Sequence, residues 1–103
     1  MKPIVFLGDS LSRIREFPET ARRQVGMDLR QVQRGLEPSD WKQMRSVGLG
    51  VREIRVREAA GAFRVLYVAN LADAVYVLHA FQKKTRATAK RDLALAALRF
   101  RLL

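Results

Sequence analysis

VREIRVREAAGAFRVLYVANLADAVYVLHAFQKK, residues 51–84, decides the fold of this chain. Val51 to Glu58 alternates, with Ile54 and Val56 on one side and Glu53, Arg55 and Arg57 on the other, the period of a half-buried strand. Ala59 to Ala62, which includes Gly61, turns the chain into a second run, Phe63 to Ala69. Asn70 to Asp73 turns it again into a third, Val75 to Phe81. The two later runs are apolar at nearly every position, as central strands covered on both faces are. The three together read as an antiparallel meander.

That meander carries charge where a plain core would avoid it. Four-residue loops at both turns would set Arg57 opposite Arg64, and Arg64 opposite His79, while a slip of one residue would send them to different faces. Like charges facing each other across strands cost tenths of a kcal/mol to about 1 kcal/mol, a conflict that a bound polyanion removes. Arg55 and Arg57 also have a plainer reading, as partners of Glu53 or Glu58 on an exposed sheet surface. Arg64 does not, because FRVLYVA is otherwise a core strand and a charge within it should face a pocket or a partner.

Working outward, Pro3 to Leu7 is a short first strand ended by Gly8, after which Asp9 or Ser10 can cap a helix with Leu11, Ile14 and Phe17 on one side. Pro18 opens a second helix, to Arg34, whose Ala21, Val25, Leu29 and Val32 share an apolar face that extends to Leu36, with Gly35 as a natural stop. Arg22, Arg23, Arg30 and Arg34 fall elsewhere on that helix, the pattern of a solvated face. Leu36 to Gly50 has the Pro, Ser and Gly content of a loop. Trp41 reads as a packing anchor beneath it, and Gly48-Leu49-Gly50 is too short for a nucleotide-binding fingerprint. Thr88 is placed to cap a last helix, with Asp92 in its first turns, where the helix dipole favours negative charge. Leu93, Ala96, Ala97 and Phe100 form one stripe of it, and Leu95, Leu98 and Leu102 another. The order β-α-α-β-β-β-α describes a small α+β domain over residues 1–103, its helices on one face of a mostly antiparallel, four-stranded sheet.

Length and charge narrow the function. A chain of 103 residues builds one core, without room for a separate substrate domain. Twenty Lys and Arg against ten Asp and Glu give a net charge of +10, with a pI near 11.3, in the range of proteins that bind nucleic acid or other anions. Residues 1–50 hold nine basic and six acidic side chains, whereas residues 51–103 hold eleven and four, so the excess travels with the strands. No segment approaches the roughly 20 apolar residues of a membrane span, and no export signal opens the chain, so a cytoplasmic protein that does not engage membranes is expected.

One histidine and no cysteine cannot build the usual transition-metal sites, so no metal and no cofactor are expected. Ser10, Ser12, Ser39 and Ser46 lack a nucleophile elbow. What remains is Arg and Lys, which suit phosphate: they can stabilise a pentacovalent phosphorane while a Lys or His moves protons. RNA brings its own nucleophile in the 2′-hydroxyl.

VREIRV (51–56), FRVLYV (63–68), VLHAFQKKT (77–85) and TAKRDLALAALR (88–99) resemble the phage-derived, HigB-type branch of the RelE/ParE/HigB toxin superfamily of type II toxin–antitoxin systems. Its usual pattern is an E-L-R strand, a Y-R-V-x-Y strand, L-H-G-F-x-K-K-T and a capped T-P-x-x-E-I-x-x-A helix. Here Phe63, Ala80, Ala89 and Asp92 depart from it. The resemblance implies a RelE-like microbial RNase fold and an endoribonuclease toxin that cuts mRNA on the ribosome. Its implied partner is a cognate antitoxin, often with a helix-turn-helix domain, through which alone the pair would touch operator DNA.

Carried over by position, Arg64 matches the strand arginine at the scissile phosphate, Arg55 the E-L-R arginine, and Lys83 with Lys84 the basic pair after the last strand. Arg52, Arg57, Arg86 and Lys90 are the accompanying candidates for RNA backbone. Lys90 falls near the place where RelE-like members carry a tyrosine, which leaves the general acid or base open, and His79 is either that group or a structural hydrogen-bonding residue. Two other readings share the fold: a ParE-like inhibitor of a DNA topoisomerase that cuts nothing, and a nontoxic nucleic-acid-binding accessory protein.

Overall fold

A computed structural model describes residues 1–103. Its elements run β1 (Ile4–Phe6), α1 (Ser10–Arg15), α2 (Glu19–Gln33), β2 (Trp41–Gln43), β3 (Val51–Glu58), β4 (Gly61–Val68), β5 (Val75–Lys83) and α3 (Lys90–Arg101). The strands form one sheet in the order β1-β5-β4-β3-β2, antiparallel except where β1 runs parallel to β5. The α+β class stands, with one strand more than the four expected. β2 lies inside the segment read as a loop; its three residues pair with Ile54, Glu53 and Arg52 of β3, so long-range pairing makes it a strand where local composition does not.

The apolar patterns fold as elements should. Ala21, Val25, Leu29 and Val32 recur down one side of α2, and this stripe, with Ile14 and Phe17 from the α1 region, packs on Ile54, Val56, Phe63, Val65, Tyr67 and Val77. The second helix stops at Gly35, whose φ of +82° only glycine takes up readily. Leu36 thereby leaves the helix face and stands 55% exposed.

The expectation that all helices share one face is corrected. α3 lies on the opposite side, where Ala96 with Leu93 and Phe100 packs on Val51, Leu66, Leu78 and Phe81, joined by Met44 and Val47 of the loop before β3. The doubly apolar β4 and β5 require cover on both sides, and α3 is the only element left to supply it. Thr88 does not cap this helix; Ala89 precedes its first residue, and Asp92 turns instead to the sheet. The outer stripe stays unpacked at Leu98 (50% exposed) and Leu102 (77%).

Polar ties fasten α3 and α1 to β5. Asp92 Oδ1 lies 2.8 Å from His79 Nε2. Arg99 donates to the Leu78 carbonyl at 2.9 Å and to Asp9 Oδ1 at 2.8 Å, while Arg13 donates to Asp9 Oδ2 at 2.8 Å. Asp9 therefore serves two arginines and not the helix end, and their hydrogen bonds, that of Arg13 foremost, hold its carboxyl well below the usual carboxylate range.

Both turns differ from four-residue loops. Glu58 pairs with Gly61, so only Ala59 and Ala60 form the first, with Gly61 at φ +136° and the Ala60 N–H donating to Glu58 Oε1 at 2.7 Å. On β5 an extra residue enters opposite β4 between Leu66 and Tyr67, since Leu66 pairs with His79 and Tyr67 with Val77. Leu78 and His79 both meet the α3 side, which is what delivers the imidazole to Asp92.

Candidate nucleic-acid interface

The shorter first turn changes which cations face each other. Arg64 lies opposite Arg55 on β3 and Phe81 on β5, whereas Arg57 pairs with Ala62. His79 sits one step further along the same face, opposite Leu66. The expected rows Arg57–Arg64 and Arg64–His79 are therefore replaced by the single like-charge pair Arg55–Arg64, a consequence of a first turn two residues shorter, of a longer second turn that pairs Val68 with Tyr76, and of the bulge.

Glu53 answers that pair incompletely. Alternation along β3 sets Glu53 on the face of Arg55, where it is 3% exposed and not the surface partner its composition suggests. Its Oε1 lies 3.5 Å from Arg64 Nε and 3.7 Å from Arg55 Nε. Neither distance is that of a charge-assisted hydrogen bond, about 2.7–2.9 Å. Arg64 Nε and Glu53 Oε2 have no hydrogen-bond partner, and the Arg64 guanidinium makes one bond, from Nη1 to the Phe63 carbonyl at 3.1 Å.

Arg64 is the largest of the fully buried side chains, at 1% exposure. Burial lowers its pKa from the ordinary value, Glu53 pulls it back, and Arg55 and Arg57 add repulsion. An arginine keeps its proton regardless. A buried cation with free donors is thus held on the floor of an open groove of about 580 Å³, whose walls include Arg57, Lys83, Lys84, Thr85 and Arg86. Glu58 is its one acidic lining residue. A phosphate oxyanion would supply what the groove lacks: acceptors for Arg64 and negative charge among four further cations.

Lys83, Lys84 and Thr85 form a ridge shared with a second cleft of about 550 Å³, between the α1–α2 corner and the start of α3. Beyond Val77, β5 has no β1 alongside, which opens this cleft. His79 and Asp92 line it, with Arg13 and Arg91 adding positive charge. His79 itself is fully buried, and burial, only partly offset by the Asp92 hydrogen bond, lowers its pKa below the ordinary value. The imidazole is therefore neutral at pH 7 and ties α3 to β5, a geometry of attachment first.

The remaining candidates fall apart in space. Arg55 shares the sheet face of Arg64 and Glu53 without lining the groove, and Lys90, exposed on the first turn of α3, lines neither the groove nor the cleft. Arg52 points to the opposite face of the sheet, where its guanidinium lies 4.1 Å from the centroid of the Trp41 ring. Trp41 is accordingly half-buried under an arginine on the edge strand. Sequence reasoning passed over Thr85 and the buried state of Glu53; the alternation that put Glu53 beside Arg55 was the available signal.

No curated protein matches the chain. A family description does, that of Phage derived protein Gp49-like (DUF891), over residues 12–101. That span takes in both faces of the sheet, the groove and all three helices save the first residues of α1. By this match the chain belongs to the Gp49-like phage-derived family, within the RelE/ParE-like toxin–antitoxin superfamily.

Proposed function

We propose that this protein is the toxin of a type II toxin–antitoxin pair and a metal-independent endoribonuclease that cuts mRNA on the ribosome. The observation that carries the reading is Arg64, a buried, under-bonded guanidinium at the floor of a groove walled by Arg57, Lys83, Lys84 and Arg86. Membership of a toxin–antitoxin family implies a cognate antitoxin. Its helix-turn-helix domain, its contact with operator DNA and the HigB-type assignment belong to the same proposal.

In this mechanism the 2′-hydroxyl oxygen of a seated ribose bonds to the adjacent phosphorus, and the bond from phosphorus to the 5′-oxygen breaks. The products are a 2′,3′-cyclic phosphate and a 5′-hydroxyl, with one proton leaving the 2′-oxygen and one arriving at the 5′-oxygen. Arg64 and Lys84 stabilise the charge that accumulates on the equatorial oxygens. Arg55, Arg57 and Lys83 hold the backbone, and Arg86 and Lys90 extend the basic track. Arginines do not give up protons, so Lys83 and Lys84 are the groups of the groove able to move one. Arg52, on the far face, has no part in this groove.

Inducible expression in a host without the antitoxin tests the reading. The parent arrests growth and Arg64→Ala relieves the arrest. Undiminished toxicity of that variant overturns the assignment of Arg64, and growth unaffected by the parent favours the nontoxic nucleic-acid-binding reading.

A further inference from the structure

We propose that a second cavity, on the sheet face opposite the groove, is a binding site for an apolar carboxylate, held by Tyr67 and Arg52. The cavity measures about 410 Å³, within the range of small-molecule sites, and shares no lining residue with the groove. It lies where the end of α2, the chain leading to β2, and the facing ends of β3 and β4 meet. Register brings Arg52 and Tyr67 together, since they pair across β3 and β4.

Tyr67 is fully buried and its O–H finds no acceptor; the polar side chain beside its oxygen is Arg52, itself a donor. A buried hydroxyl whose proton has no acceptor destabilises the fold, so the arrangement calls for an explanation. Burial raises the phenol pKa more than Arg52 lowers it, so the group stays a donor at neutral pH. Arg52, half-buried on Trp41, has Glu37 as its nearest carboxylate at 3.8 Å, beyond hydrogen-bond reach. Two sets of donors therefore converge on one space, and the one carboxylate lining it, that of Glu37, is not within hydrogen-bond reach of Arg52. Lys2 does not compete for the ligand, because its ammonium already donates to the carbonyls of Ala69 and Leu71, each at 2.7 Å.

The walls choose the rest of the ligand. Val32, Leu36, Leu49 and Ala69 line the cavity, and Leu36 and Leu49 are 55% and 79% exposed, apolar surface that an occupant would cover. A planar carboxylate matches the Arg52 fork and takes the Tyr67 proton donor, while its apolar tail covers the leucines. Displacing the distant Glu37 from Arg52 frees the guanidinium for it. A phosphate dianion fits less well, with Glu37 at the rim and apolar walls. The carboxylate can come from a small free acid or from the end of a peptide chain.

Trp41 is the only tryptophan, and Arg52 stacks on it, so its emission reports the site without a label. The probes are 4-phenylbutyrate for a free acid and N-acetyl-Ala-Phe with a free C-terminus for a chain end, each beside its uncharged amide. The expected result is a saturable change in emission with at least one acid, its amide binding about 10-fold more weakly, and a loss of about 10-fold in Tyr67→Phe. Whichever acid binds more tightly identifies the source. Leu49→Asp, at an exposed position that cannot unfold the core, weakens the same binding. No saturable change with either acid, equal binding of acid and amide, equal affinity for inorganic phosphate, or parental binding by both variants overturns the proposal. None of these outcomes depends on whether the groove cuts RNA.

Discussion

If Arg64 is kept for a ligand and not for the fold, replacing it together with Glu53 should make the protein more stable. The two are only 1% and 3% exposed, separated by 3.5 Å without a hydrogen bond, and each leaves an atom unpartnered. Desolvating two charges costs several kcal/mol apiece, and a pair this loosely joined recovers little of it. Arg64→Met with Glu53→Met keeps length and volume while removing both charges. Substitutions of this kind are neutral to stabilising by about 1–4 kcal/mol. At this size each kcal/mol moves the midpoint by roughly 4–8 °C. Glu53→Gln alone should do the reverse, by about 3 kcal/mol, since it leaves Arg64 buried with only its Phe63 carbonyl and a half-exposed like charge in Arg55 for company. Urea unfolding followed by circular dichroism measures all three proteins, with an unchanged m-value as the check that the folded state is comparable. A double variant less stable than the parent by more than about 1 kcal/mol would instead make the pair a structural salt bridge that holds the fold.

Acid should loosen the α3 attachment. The folded pKa of His79 lies below its ordinary 6.5, so the unfolded chain binds that proton more readily and stability falls as pH drops below 6.5; His79→Gln should flatten that part of a plot of Tm against pH, leaving the lower window, below pH 3.8, where protonation of Asp9 releases Arg13 and Arg99. Gly48→Ala should destabilise by about 1–3 kcal/mol, because a β-carbon there would stand 2.3 Å from the Phe100 ring that packs α3 on the sheet; chemical unfolding measures it. Binding of a single-stranded RNA as a function of salt should lose about 0.7 of log–log slope for each of Lys83→Ala, Lys84→Ala and Arg86→Ala, and none for Arg52→Ala on the far face.

What the chain disclosed before folding follows from how local each signal is. The alternation of β3, the long apolar runs of β4 and β5 and the helical spacing on α2 are each local signals, so the type and order of these elements were readable. So was Arg64, a lone cation in an apolar strand. Three residues of β2 within a Pro-, Ser- and Gly-containing segment carry no period, and only the partner strand makes them extended. The Ala59-Ala60 turn lacks the Asn-Gly or Asp-Gly signal that would have announced a two-residue hairpin, and the bulge at Leu78 leaves no mark in composition. Those two features decide register, and register decides that Arg55, not Arg57, faces Arg64 and that His79 meets Asp92. The alternation along β3 already separated Arg52 from Arg55, yet only the sheet shows that this parts two cavities.

Whether the groove around Arg64 breaks RNA, as proposed, can be read from the transcripts themselves. Mapping mRNA 5′ ends by primer extension, after inducing the parent, Arg64→Ala and the Arg64→Met, Glu53→Met protein, tests it most directly. New 5′-hydroxyl ends within translated codons are expected for the parent alone, and none for the double variant even though that protein folds. Growth arrest with no new ends would contradict the proposal and favour a topoisomerase inhibitor of the same fold, and ends that persist without Arg64 would take the chemistry out of this groove.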